Sequence, residues 1–223
     1  MSTSRRPRKP SARARVRRGH EGDAERLRAD LIDATLALFA EGGLDAVSVR
    51  AVAARVGVSP MTTYRYFGNK AELLGGLWLM VFQGLLERVR QAVGDETDAL
   101  ARQRALVDAF IGHWEDNPDH YRLVYGGEDR GERREARLHP ALDPVIGELI
   151  ALGRQVTEGV AAAVGGQPAR QRLASDVRLA MMLGYLSSRY TATRYPWSDA
   201  AVLRATYVGQ IAQAVERCLT ASE

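Results

Sequence analysis

One cysteine, Cys218, stands in a chain of 223 residues. That excludes an internal disulfide and any zinc site built from several thiolates. The histidines are also few: His20, His113, His120 and His139 fall in four separate segments. No metal site is expected, because binding would need the fold to gather them. No apolar run reaches membrane-spanning length; the richest, residues 73–86, holds three glycines and a glutamine. The first residues carry arginines without the apolar stretch of a secretory signal, so the expected location is the cytoplasm. There is no Gly-x-Ser-x-Gly, no His-Glu-x-x-His and no glycine-rich phosphate loop. An enzyme is therefore not expected, nor a cofactor.

Acid is missing from one end. Arg5, Arg6, Arg8, Lys9, Arg13, Arg15, Arg17 and Arg18 crowd the first twenty residues with no carboxylate among them. These eight cations exceed the net charge of the whole chain, +4, so everything after them is net negative. With Pro, Ser and Ala between the charges and no apolar periodicity, residues 1–22 read as a disordered basic arm. Such an arm attracts phosphate or lies in a minor groove. It could equally be a solubilising extension.

Beyond the arm, one helical pattern succeeds another. No segment alternates at period two, so the expected class is all-α, without a sheet. Asp23 can cap a first helix with Leu27, Leu31, Leu38 and Phe39 on one face, ended by Gly42-Gly43. Ser48 caps a second, with Val49, Val52, Ala53 and Val56 inward. Ser59-Pro60 opens a third, a hydroxyl cap followed by proline at the first helical position. Asn69, with Glu72 three residues on, makes a capping box for a fourth that runs beyond Leu86.

Ala53-x-x-x-Gly57-Val58-Ser59 carries the functional reading. Two helices that cross steeply need a small side chain at the contact, which Ala53 supplies. Gly57 then lets the backbone turn through a left-handed conformation without a Cβ clash. The third helix is too short to be stable alone; such a helix is kept for what its exposed face touches. Between residues 46 and 71 lie Arg50, Arg55, Arg65 and Lys70 and no acid. Together these features describe a helix-turn-helix whose second helix can enter a major groove.

Residues 48–74, SVRAVAARVGVSPMTTYRYFGNKAELL, resemble the DNA-binding region of the TetR family of bacterial transcriptional regulators. The likeness rests on the Val-Ala-x-x-x-Gly-Val-Ser turn, on Tyr64-x-Tyr66-Phe67 and on Lys70-x-x-Leu73. It implies a three-helix DNA-binding domain over residues 23–70 and a larger helical domain over residues 71–223. Ser48, Arg50, Ser59, Thr62, Thr63, Tyr64, Tyr66 and Lys70 are then the expected DNA-facing residues. Thr62, Thr63 and Tyr66 suit base edges or a thymine methyl, and Tyr64 a phosphate. Thr63 departs from the family, which usually has leucine or isoleucine there; its hydroxyl either loosens the helix or projects toward DNA. Lys70 also has a rationale of its own. A cation in a first helical turn opposes the helix dipole unless an anion, such as a phosphate oxygen, sits beside it.

The resemblance also implies a small-molecule effector held among the middle helices and coupled to DNA through the fourth. Phe110, Trp114, Tyr121, Tyr125, Met181 and Tyr185 could line such a pocket or simply be core; His113 and Arg189 could fix a polar group. Gly75-Gly76 inside the fourth helix reads as a hinge or as close packing on the first. Asn117-Pro118-Asp119 opens a further helix, the charged segment 126–139 reads as an exposed loop, and Pro144 opens a helix with Val145, Leu149, Leu152, Val156 and Val160 inward.

In the last two helices, strips of small residues, Ala180, Gly184 and Ser187, then Ala205, Gly209 and Ala212, lie beside apolar strips. The apolar strips are Leu179, Leu183 and Leu186, then Leu203, Tyr207, Ile211 and Cys218. Apolar strips facing the core and small strips pairing across a two-fold axis would make a homodimer. Trp197, a cap at Ser198 and Val202 read as a hydrophobic staple. The expected function is a repressor released from a palindromic double-stranded operator by a small molecule. Two other readings stay open: ligand-independent DNA binding through the basic arm, and a helical small-molecule-binding enzyme.

Overall fold

The computed structural model describes residues 12–126, 131, 134, 136 and 139–221, with side chains from residue 22 onward. Every regular element among them is helical. In chain order they are α1 (Ala12–Ala46), α2 (Val49–Val56), α3 (Pro60–Tyr64), α4 (Lys70–Gly94), α5 (Ala99–Asp116), α6 (Pro118–Tyr125), α7 (Leu142–Val164), α8 (Gln171–Thr191) and α9 (Ala200–Thr220). A short 3-10 turn, Pro168–Arg170, precedes α8.

The chain divides into two compact units between Leu77 and Trp78, so α4 contributes to both. In the first, the buried residues are Leu31, Ile32 and Phe39 of α1, Val49, Val52 and Ala53 of α2, Phe67, and Leu73, Leu74 and Leu77 of α4, with α1 packed on α2. Each fully buried Leu or Val side chain of this kind is worth roughly 1.5–3 kcal/mol. At Gly76 the α4 backbone packs tightly against Ile32 and Phe67. A Cβ there would lie 2.7 Å from Ile32 Cδ1 and 2.9 Å from Phe67 Cε1, so close packing explains the glycine without a hinge.

In the second unit Leu106, Val107, Ile111 and Trp114 of α5 form the spine. Val156 and Val160 of α7, Leu186 of α8, and Ile211, Val215 and Leu219 of α9 complete the core. Val145, Leu149 and Leu152 of α7 are only half-buried. No described helix is long and apolar enough to cross a membrane.

Several local expectations need correction. α1 begins at Ala12, ahead of Asp23, which is therefore no cap; residues 1–11 of the expected arm lie outside the described residues. At its other end α1 is interrupted where Gly43 adopts φ 67°. The cap of α9 is Asp199, one residue past Ser198; its carboxylate accepts from the amides of Ala201 and Val202. Val202 is 63% exposed and staples nothing. Trp197 packs instead on Tyr195 and beneath the Arg189 guanidinium. Asn117 holds the N-cap position of α6 but makes no side-chain capping bond there; its amide donates instead to the His113 carbonyl, closing α5. Residues 127–130, 132, 133, 135, 137 and 138 of the charged segment lie outside the described residues; Ala136 within it is buried.

Candidate nucleic-acid interface

α2 forms because Ser48, in extended backbone, accepts from the amide of Ala51 and satisfies one orphan donor of the first turn. It ends at Gly57, which sits at φ 78° and ψ 27°, a left-handed conformation costly for any residue bearing a Cβ. The Val58 amide reaches back to the Ala53 carbonyl at 2.9 Å, closing the turn. Ala53 itself is fully buried. Ser59 then caps α3, accepting from the Thr62 amide at 3.1 Å, with its hydroxyl 2.9 Å from that of Thr62. Proline at the first helical position removes a donor that would have had no partner.

The five-residue α3 therefore has a fixed rotation. Thr63 and Phe67 point inward, while Met61, 72% exposed, and Tyr64, 47% exposed, point out, with Thr62 and Tyr66 half-buried at the flanks. Thr63 is 0% exposed, so the expectation that it reads DNA is wrong. It occupies the slot of a core aliphatic, and its hydroxyl has no hydrogen-bond partner among the described residues. Met61 is the exposed residue that sequence reasoning missed. Ser48, Arg50 and Ser59 are exposed, as is Arg65.

The cations divide into two kinds. Arg55 makes a two-pronged bond to Glu41, both contacts 2.7 Å, which holds that carboxylate below its usual range. Its charge is thus answered inside the protein. Lys70 donates its Nζ to the Leu44 carbonyl at 2.7 Å, so a backbone oxygen already supplies the partner that the opening turn of α4 calls for. Beside it the capping box forms in modified shape: the Glu72 amide donates to Asn69, and the Glu72 carboxylate accepts from the Gly68 amide. Arg28 lies 4.6 Å from the centroid of the Phe67 ring, covering the inner aromatic.

In the second unit, four of the aromatic residues expected to line a pocket come together. Trp114 meets Phe110 and Tyr121 edge-on at 6.2 Å and Tyr125 at 5.2 Å. Tyr190, which sequence reasoning missed, stacks on Tyr121 at 4.0 Å and donates to the Trp114 carbonyl. Tyr185 stands apart, donating to Glu115 and leaning on Tyr207. Met181 is half-buried, and Met182 is the buried methionine. A surface cleft of roughly 480 Å³ opens nearby, lined by Glu115, Asp116, Arg189, Tyr190 and Arg204 among others.

On α8 and α9 the expected faces are partly exchanged. Ala180, Gly184, Ser187 and Ala205 are exposed and Gly209 is half-buried. Ala212 is buried beside Ile211 and Val215 and belongs to the core, while Leu179, expected in the core, is 47% exposed.

A short helix with a capped N-terminus and an outward polar and aromatic face, placed just after a glycine corner, defines a helix-turn-helix protein of the DNA-binding class. Residues 31–77 match the sequence model of the bacterial regulatory proteins, tetR family, a match to the DNA-binding region that supports a TetR-family transcriptional regulator. It is 33% identical over 109 residues to the HTH-type transcriptional activator FasR of Mycolicibacterium smegmatis, covering 49% of this chain and 50% of FasR. It is 27% identical over 137 residues to the nucleoid occlusion factor SlmA of Alteromonas mediterranea, covering 59% and 70%. The chain thus spans half the length of one of these curated relatives and somewhat over two thirds of the other.

The fold is shared with a tetR-family regulatory protein from Rhodococcus RHA1, at TM-score 0.63 and 20% identity over 84% of this chain and 96% of that one. It is also shared with the transcriptional regulator FadR from Bacillus subtilis in complex with stearoyl-CoA, at TM-score 0.64 and 16% identity over 87% and 99%.

Proposed function

We propose that the chain is a TetR-family transcriptional regulator that acts as a homodimeric repressor, held on a palindromic operator and released when a small molecule binds its C-terminal domain. The observation that carries the DNA half is the exposed face of α3. Met61, Thr62 and Tyr64 lie on this capped helix and Tyr66 just past its end, within a stretch that has no acid from residue 46 to 71. Thr62, Met61 and Tyr66 suit base edges and thymine methyls; Tyr64, Ser48, Ser59 and Arg50 suit phosphates, and the Lys70 charge adds to their attraction. The small exposed residues Ala180, Gly184, Ser187 and Ala205, with half-buried Gly209, suit a second copy of the chain. The aromatic group around Trp114, with Met181 and Tyr185, suits an apolar effector, a reading supported by the stearoyl-CoA in the FadR complex.

Repression results if the unliganded dimer holds two α3 helices about 34 Å apart, one helical turn, or a multiple of it. A ligand that favours the splayed form by ~3 kcal/mol lowers operator affinity about a hundredfold. Likeness to the activator FasR favours a second reading, in which the same dimer recruits transcription; the two share every step but the sign of the output.

Selection of bound sites from random duplex DNA tests the proposal. An inverted repeat, with Thr62→Ala and Tyr66→Ala each weakening it by about 1–3 kcal/mol per altered base contact, is the expected result. Sequence-indifferent binding that survives both substitutions but disappears when the first twenty residues are removed would favour the basic arm instead.

A further inference from the structure

Arg178 is a cation almost wholly inside the protein. Its side chain, 5% exposed, enters from α8 and meets only neutral acceptors. Nη1 donates to Gln103 Oε1 of α5 at 3.0 Å and to Thr157 Oγ1 of α7 at 2.8 Å; Nη2 donates to the Gly153 carbonyl at 2.8 Å. No carboxylate pairs with it among the described residues. The cradle is cut to fit: a Cβ at Gly153 would lie 2.9 Å from Nη2, so α7 carries glycine where the guanidinium passes. Burial pushes the guanidinium down to about 10, in line with a charge taken from water without an anion.

Buried charges are ordinarily paired, because desolvation is only offset by an opposite charge and a complete hydrogen-bond shell. Here the shell is incomplete in one direction. Gln103, fully buried, gives its oxygen to Arg178 and leaves its Nε2 donor without an acceptor among the described residues. A guanidinium fork and an amide N–H side by side are the donors a carboxylate takes.

The surroundings continue the pattern. α5 and α8 run the same way, since Gln103 meets Arg178 near their starts and Glu115 meets Tyr185 further along. From Gln103 the same face of α5 presents buried Leu106, Phe110 and Trp114, the last about 16 Å away at 1.5 Å per residue. From Arg178 the face of α8 presents Met182 and Tyr185. Both helices thus pass from charge to apolar and aromatic side chains in the same direction.

We infer that the effector is an amphiphilic carboxylate, its anionic head received by Arg178 and Gln103 and its apolar body directed along α5 and α8 toward Phe110. This rests on the effector-regulated reading above and adds the chemical class. The carboxylate replaces the Gly153 carbonyl and the Gln103 oxygen as partner of the guanidinium. Binding therefore loosens the bonds that tie α8 to α7 and α5, which gives the ligand different contacts in its two states, as a switch requires.

The test uses the full-length protein with dodecanoate and dodecan-1-ol at micromolar concentration, read by calorimetry. Wild type should bind the acid at least about tenfold more tightly than the alcohol, and Arg178→Met should bind the two alike. Equal binding of both by wild type, binding of neither, or a preference that survives in Arg178→Met overturns the inference. Should Arg178→Met fail to fold, the wild-type comparison and Gln103→Met, expected to lose part of the preference, decide. Operator release measured alongside separates the two readings. A neutral compound that releases wild type and Arg178→Met equally removes the carboxylate and leaves regulation standing. Tight acid binding with no release by any compound leaves the site and removes regulation.

Discussion

The Lys70 ammonium donates to the Leu44 carbonyl at 2.7 Å, tying the start of α4 to the last turn of α1 just beyond the left-handed Gly43. The Leu44 carbonyl, near the helix C-terminus, also accepts from the Val47 amide at 3.2 Å, and the cation supplies a second, shorter bond. Lys70→Met should therefore lower unfolding stability in urea by about 1–2 kcal/mol, the range for a hydrogen bond to a charged group that is partly exposed. If Lys70 also meets a phosphate, the slope of log affinity against log salt should become shallower by about 0.9. An unchanged slope with reduced stability would assign Lys70 to the fold alone.

Thr63 makes the opposite prediction. Its hydroxyl is buried with no partner among the described residues, while its methyl packs where an aliphatic side chain belongs. Thr63→Val keeps the shape and removes the unsatisfied group, so stability should rise by about 1 kcal/mol. The denaturation midpoint should move up with no change in slope, and operator affinity should stay as it was. A loss of affinity without a loss of stability would show that the hydroxyl reaches DNA after all.

His113 sets an acid limit. Burial above all, then the charges of His120 and Arg88, hold it down to about 4 from an ordinary 6.5, with Asp116 opposing. The unfolded chain therefore takes up a proton that the folded chain refuses. Stability from this group is complete above pH 6.5 and is lost as pH falls toward 4. His120, lowered by burial as well, acts in the same direction. Glu41, held below 4.5 by Arg55, adds its loss only under that value. Unfolding midpoints measured from about pH 7.5 to 4 should fall steadily in wild type and more shallowly in His113→Phe. Parallel curves would mean that the folded protein protonates His113 freely.

How much could be read from the sequence depends on how many residue types a position admits. Gly57 could be placed because few side chains tolerate φ near 78°, and the caps at Ser48 and Ser59 because hydroxyl acceptors are favoured there. The inward turn of Thr63 was not legible, since five residues carry too little periodicity to fix a helix's rotation. Ala212 and Leu179 exchanged roles because alanine is as welcome in a core as at a surface, and one exposed leucine costs little. The Arg178 cradle was invisible for another reason. Gln103, Gly153, Thr157 and Arg178 lie on three helices, and only folding brings them together.

Gly184 and Gly209 offer the sharpest test of the dimer. Each lies inside a long helix, where glycine costs about 1 kcal/mol relative to alanine. A Cβ at either would meet nothing within 4 Å among the described residues, so packing among them does not ask for glycine. Close approach of a second chain would. If that is the reason, Gly184→Ala and Gly209→Ala should raise the stability of the isolated chain while weakening its self-association. Gly184→Arg should yield a folded monomer with unchanged helical circular dichroism and a molecular mass halved in sedimentation. Operator binding by that monomer should fall to the level of a single half-site. Alanine variants that stabilise the fold and leave the mass untouched would place the two-fold contact elsewhere on the molecule.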